Sequence, residues 1–330
     1  MNVFVIGNGY SINFIKILEK LEYLEKDAVD LINLFSAGDR IPDNTKTNSY
    51  LSKNNFPQLW QLGVRSIINS DCASKIINNI ISSYTLYVNR CISRKDRVDR
   101  YHPCVTTYFE LNRYLKSLIL YYDELVLKAI NQLTPSKNIE EICKIFPLLD
   151  EIAEDDIIIS YNYDIWLERL LSLCQKKYFY AGIEPSKKSY IKIFKPHGSV
   201  NFGLYNSIDD ETNIYDVLPK EIEIIEGNDK SISLSFKHAL IIPPSGFIIG
   251  KKASWVSEIR EGLKNTLHSC PSRVTFYGLS YDIVDRDEIN EIICQLDIKE
   301  TQLVYVNPKP SSSLDYILSQ HFEHYYHRKP

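Results

Sequence analysis

Two short, almost wholly apolar runs, Ile157–Ser160 (IIIS) and Ile191–Phe194 (IKIF), each break off into a polar cluster. The first enters Tyr161-Asn162-Tyr163-Asp164 and the second enters Pro196-His197-Gly198-Ser199. Continuous rather than alternating apolar character marks strands covered on both faces, the setting of a parallel sheet flanked by helices. Ligands of such open sheets bind beyond the carboxyl ends of the strands. The stretch Asp155–Phe202 is therefore expected to turn Asn162, Asp164 and His197 into one crevice.

Similar short runs stand at Asn2–Ile6, Val29–Phe35, Ala239–Ile242, Val274–Tyr277 and Leu303–Val306. Amphipathic helical patterns alternate with them at Ile12–Leu24, Trp166–Cys174, Trp255–Leu267, Asp285–Leu296 and Ser312–Phe322. That alternation predicts an α/β fold with a parallel sheet of about six strands. Between Phe56 and Leu149 the pattern is helical throughout. Trp60, Val64, Ile67 and Ile68 recur at helical spacing, as do Ile76, Ile77, Ile80 and Ile81. A longer helix follows from about Thr107 to Leu133, with Leu111, Leu115, Leu118 and Leu125 on one side. Residues 46–149 thus read as a large helical insertion that divides the sheet domain into 1–45 and 150–330, with Asn44–Asn55 as polar linker. The aromatics of the insertion read as packing rather than as a stacking platform.

Composition narrows the function classes. The chain has 330 residues, 44% hydrophobic and 24% charged, enough for a core without disulfide or metal staples. A net charge of -4 with no dense Lys/Arg run argues against sequence-independent nucleic-acid binding, which depends on neutralising phosphates. The seven cysteines are scattered, none in a C-x-x-C pair, which fits a reducing cytoplasm and offers no zinc spacing. The start, MNVFVIGNGYSINF, has no basic leader, and no apolar run approaches the roughly 20 residues of a membrane span. A cytoplasmic protein is expected.

The candidate site residues each carry a structural reading beside the chemical one. Gly7-Asn8-Gly9-Tyr10-Ser11 links a strand to a helix, an arrangement that points helix N–H groups at a phosphate. Ile12 stands where G-x-G-x-x-G needs its third glycine, so an ordinary strand-to-helix turn is the other reading. Asp164 precedes a helix and suits its N-terminus as a cap. Asn162 suits a loop. His197 is presented at a strand end and can accept a proton near pH 7, or it caps backbone groups in its turn. Gly278-Leu279-Ser280 again offers backbone and hydroxyl donors after a strand. The acidic stretch Leu204–Lys237 reads as a solvated excursion. The tail histidines His321, His324 and His327 are spaced by three, but a frayed, solvated end fits them better than a metal site.

Taken in order, Gly7–Ser11, Tyr161–Asp164, Pro196–Ser199 and Gly278–Ser280 with Asp285 and Asp287 resemble the sirtuin-like domain of bacterial anti-phage defence effectors, and more distantly sirtuins. The resemblance spans both ends of the chain and its centre, and leaves Phe56–Leu149 uncovered. It implies a Rossmann-like sheet with helical additions that binds NAD. In the defence branch it implies hydrolysis of NAD to nicotinamide and ADP-ribose, which depletes the infected cell. By this resemblance Gly7, Asn8, Gly9 and Ser11 form the turn that holds the dinucleotide. Asn162 matches the asparagine beside the nicotinamide ribose, Asp164 the acidic residue after it, and His197 the catalytic histidine. Gly278 and Ser280 match the late turn near the cofactor, and Asn307 follows the last strand on the adenosine side. Asn8 replaces the alanine usual in sirtuins. The four-cysteine zinc module is absent, with no cysteine between His197 and Cys270, so neither a metal nor an acyl-lysine cleft is implied. Homo-oligomerisation is expected, with a co-encoded translocase ATPase or a phage-derived activator as partner, and no nucleic acid or membrane. The alternatives are a non-catalytic module sensing NAD or ADP-ribose, and a protein deacylase or ADP-ribosyltransferase.

Overall fold

A computed structural model describes residues 1–42, 49–146, 148–204, 217–225, 239–242, 254–281, 283–308 and 312–330. At its centre is β1 (Asn2–Ile6), paired in parallel with β2 (Ile157–Ser160) on one side and β8 (Arg273–Tyr277) on the other. Beyond β2 lie β4 (Ile191–Phe194) and the short edge strand β3 (Tyr178–Tyr180). Beyond β8 lie β9 (Gln302–Val306) and β10 (Tyr325–Arg328). The result is a seven-stranded, all-parallel sheet in the order β10-β9-β8-β1-β2-β4-β3. Val3–Ile6 and Ile157–Ser160 are buried throughout, as the absence of alternation requires.

The α/β fold is as the sequence implies, with one strand more than the expected six. Two expected strands moved. Val29–Phe35 forms turns, because the Asp30 carboxylate accepts the N–H groups of Ile32 and Asn33 at 2.9 Å and folds the chain back on itself. The Ala239–Ile242 run forms β7 (Ala239–Ile241), which joins β5 (Gly198–Gly203) and β6 (Glu223–Ile224) in a separate antiparallel sheet ordered β6-β5-β7. Gly198 makes this second sheet possible. Its φ of +78° turns the chain sharply out of β4, and a Cβ there would stand 2.0 Å from the Leu240 carbonyl oxygen. The tail, expected to fray, instead supplies β10. Buried Phe322 docks it, and Tyr325 and Tyr326 favour extended structure. The acidic cluster Asp209-Asp210-Glu211 and most of the expected Leu204–Lys237 excursion lie outside the described residues.

Nine α-helices are described. The first, α1 (Asn8–Lys20), begins four residues before Ile12, so the glycine turn is itself the first helical turn. Between β1 and β2 come α2 (Pro57–Gln61), α3 (Ser70–Arg94), α4 (Pro103–Leu133) and α5 (Ile139–Ile145). Pro103 at the first helical position starts α4 ahead of the expected Thr107, and the His102 side chain accepts the Cys104 N–H. After β2 comes α6 (Trp166–Leu173). Then α7 (Ser254–Leu267) precedes β8, α8 (Ile283–Ile293) follows it, and α9 (Ser312–His321) follows β9. The helical stretch shares the core of the sheet: Phe14 of α1 packs on Phe146 at 5.1 Å and on Trp166 at 5.8 Å. A buried ion pair joins α4 to α6, with Arg169 Nη2 at 2.5 Å from Asp123 Oδ2 and Nε at 3.0 Å from Oδ1. Among the described residues no helix is long and apolar enough to cross a membrane.

Candidate functional site

From β1 the chain steps outward to β2 and on to the edge strand β3, fills the place between them with β4, then returns to β8 on the opposite side of β1 and steps outward again. The switch point of the sheet therefore lies between β1 and β8, where open α/β sheets place their ligands. Gly7 and Gly278 stand at the carboxyl ends of these two strands. The Gly7 N–H donates to the Tyr277 carbonyl at 3.0 Å, and the Gly9 N–H to the Gly278 carbonyl at 2.8 Å. A Cβ on Gly278, whose φ is +62°, would sit 2.4 Å from the Tyr10 nitrogen, and one on Gly9 2.6 Å from the Gly278 Cα. The two glycine turns pack backbone on backbone. This mutual packing requires the glycines whatever ligand lies above them, and it occupies one of the donors at the N-terminus of α1.

The end of β2 closes onto this pair of turns. The Asn162 side-chain amide donates to the Gly7 carbonyl at 3.1 Å and to Ser11 Oγ at 2.9 Å. Both amide hydrogens are spent, which leaves Oδ1 as the acceptor that these bonds do not use. The Ser11 hydroxyl in turn donates to Asp164 Oδ2 at 2.8 Å, and Asp164 Oδ1 accepts the Trp166 N–H of α6 at 3.2 Å. Asp164 stands one residue ahead of the N-cap Ile165, holds the first helical N–H, and also anchors Ser11. Beneath it Lys195 Nζ donates to the Asp164 backbone carbonyl at 2.5 Å and pairs with Glu168 at 2.9 Å; both side chains of that pair are buried.

Burial pushes the Asp164 carboxyl up to about 6, against the opposing pull of Lys195 and the Ser11 hydroxyl. A carboxyl raised in the folded state contributes stability that is present at low pH and lost as pH climbs through the folded value. Relative to an Asp164→Asn variant, the wild type is expected to gain thermal stability as pH is lowered from 7 to about 4. Melting curves of the two proteins across that range check it, and parallel curves would contradict it.

His197 is 5% exposed at the end of β4. Its Nε2 lies 2.7 Å from Glu288 Oε2, and the other oxygen of Glu288 pairs with Arg260. Burial alone would raise Glu288, but His197 and Arg260 together hold it below its ordinary range. An ionised Glu288 only accepts, so the Nε2 of His197 carries a proton toward it. The ring lies against the rings of Tyr161 (5.1 Å) and Tyr163 (6.3 Å), the residues on either side of Asn162. Ile242 ties the loops together further, donating to the His197 carbonyl at 2.8 Å and accepting from the Tyr163 hydroxyl at 3.0 Å.

Of the residues singled out in the sequence, Gly7, Gly9, Ser11, Asn162, Asp164 and Gly278 form one hydrogen-bonded cluster, with His197 beside it across the tyrosine pair. Others are engaged elsewhere. The Asn8 side chain donates to the Leu31 carbonyl at 3.2 Å and tethers the segment after α1. Ser280 is exposed. Asn307 bonds the Tyr305 hydroxyl at 2.9 Å and belongs to the β9–β10 edge. Asp287 is exposed, and the Asp285 side chain is outside the described set. His327 lies in β10 with Nε2 3.2 Å from the Asn307 carbonyl, and among the described residues no cluster could hold a metal ion.

Sequence reasoning missed Glu288, Arg260, Lys195 and Glu168. Glu288 hides in the acidic first turns of a helix, where any carboxylate reads as a dipole match. Lys195 had a usable signal, because a lysine between an apolar strand and a proline turn must find a buried partner. Compared with family models and with curated proteins, the sequence matches none.

Proposed function

We propose that the chain hydrolyses NAD at the nicotinamide–ribose bond, releasing nicotinamide and ADP-ribose. The observation that carries this reading is Asn162. Its amide is locked to Gly7 and Ser11 at the switch point of a Rossmann-like sheet, which fixes the orientation of its oxygen, an acceptor that these two bonds do not use. Cleavage of the N-glycosyl bond builds positive charge on the ribose, which an amide oxygen and a nearby carboxylate stabilise. Asn162 cannot take a proton, but a rigid acceptor orients a ribose hydroxyl or the attacking water. His197 is the base. Glu288 orients its ring through Nε2 and steadies the imidazolium formed when the ring accepts the proton of the water or ribose hydroxyl. Asp164 acts through Ser11, and Lys195 holds the loop that carries it.

The defence role, homo-oligomerisation and activation by a translocase ATPase or a phage product belong to the same reading. The test incubates the purified chain with NAD and quantifies nicotinamide and ADP-ribose by chromatography. Wild type is expected to consume NAD, and His197→Ala to be slower by at least about 100-fold. Equal rates in the two proteins would remove His197 from the site. Tight NAD binding without turnover in wild type would favour a sensing module instead.

A further inference from the structure

Two of the seven cysteines, far apart in the sequence, meet in the fold. Cys143 Sγ of α5 donates to Cys174 Sγ at the end of α6 across 3.0 Å, over a separation of 31 residues. Cys143 is partly exposed and Cys174 is buried. Two thiols this close need little backbone movement to join. We propose that Cys143 and Cys174 form a reversible dithiol–disulfide pair, a modification site oxidised by low-molecular-weight disulfides of the glutathione class.

The order of events follows from exposure and acidity. The Cys143 thiolate, the reachable member, attacks the small disulfide; one small thiol leaves and a mixed disulfide forms at Cys143. Burial holds the Cys174 thiol up at about 12, so it is inert until Cys143 has been modified. Cys174 sulfur then attacks Cys143 sulfur, gives its proton to solvent and expels the second small thiol. The balance is two protein thiols oxidised to one disulfide, and one small disulfide reduced to two thiols. The bond staples α5 to α6, the helix that carries Glu168 and Arg169 and whose first N–H is held by Asp164. Its formation does not depend on the NAD reading.

The experiment exposes the full native chain to a glutathione–glutathione disulfide buffer, followed by intact mass and peptide mapping. The expected product lacks two hydrogens, joins the Cys143 and Cys174 peptides, and is reversed by dithiothreitol. Closing a loop of this length is expected to raise the melting temperature by roughly 5 °C. Cys174→Ser should stop at a glutathione adduct on Cys143, and Cys143→Ser should give no product at either position. The proposal fails if the wild type also stops at a stable adduct on Cys143. It fails equally if the cross-link appears only in denaturant, or if the cross-linked protein melts below the reduced one.

Discussion

Asn162→Ala is expected to lower NAD cleavage by at least about 100-fold while leaving the protein folded. The side chain is buried and makes two hydrogen bonds, to the Gly7 carbonyl and to Ser11 Oγ. Gly7 O retains the Tyr10 N–H, and Ser11 retains Asp164. The stability lost is therefore about 1–3 kcal/mol, the usual cost of unmaking buried bonds without unfolding a domain. The loss of rate has a different origin. On the proposed NAD reading, the alanine removes the acceptor that would position water and ribose, and the two glycine turns lose their clamp to β2. Asn162→Asp separates these effects from size. The aspartate is isosteric but cannot donate to either partner, and it places a second carboxylate beside Asp164, so its activity is expected to fall as far. NAD consumption and circular dichroism on the same samples decide the matter. An active Asn162→Asp protein would mean that the amide is not what the site uses.

The largest expected effect on stability lies behind the site. Asp123 and Arg169 pair across α4 and α6 with both side chains 2% exposed. Asp123→Ala strands a buried guanidinium without its carboxylate and is expected to cost about 3–5 kcal/mol. The double replacement Asp123→Leu with Arg169→Met is expected to recover most of that loss, because it removes both charges and restores apolar packing. Urea titrations of the three proteins measure it. A single-variant loss below about 1 kcal/mol would show that the guanidinium is satisfied by its other neighbours.

Much of the frame was legible. Ile157–Ile159 and Val3–Ile6 show no alternation, which marks strands covered on both faces, and the helical patterns between such runs point to a parallel sheet. The polar clusters that follow them then had to sit at strand ends. Local chemistry was harder to judge. Val29–Phe35 has strand-like composition, yet one aspartate at its start offers the backbone a nearer partner than a neighbouring strand. The tail tyrosines were masked by the histidines around them, and they extend only because β9 offers an open edge.

The sequence by itself determined the α/β class, the strand ends at Gly7, Asn162 and His197, and the residue types available there, since strand periodicity and turn chemistry are local properties. Tertiary structure alone decided which of those residues meet. Asn162 reaches Gly7 across 155 positions, Glu288 reaches His197 across 91 and Cys143 reaches Cys174 across 31. No local signal encodes such pairs. Each depends on how the sheet orders its strands and on which helix covers which face, and that is settled only when the whole core is packed.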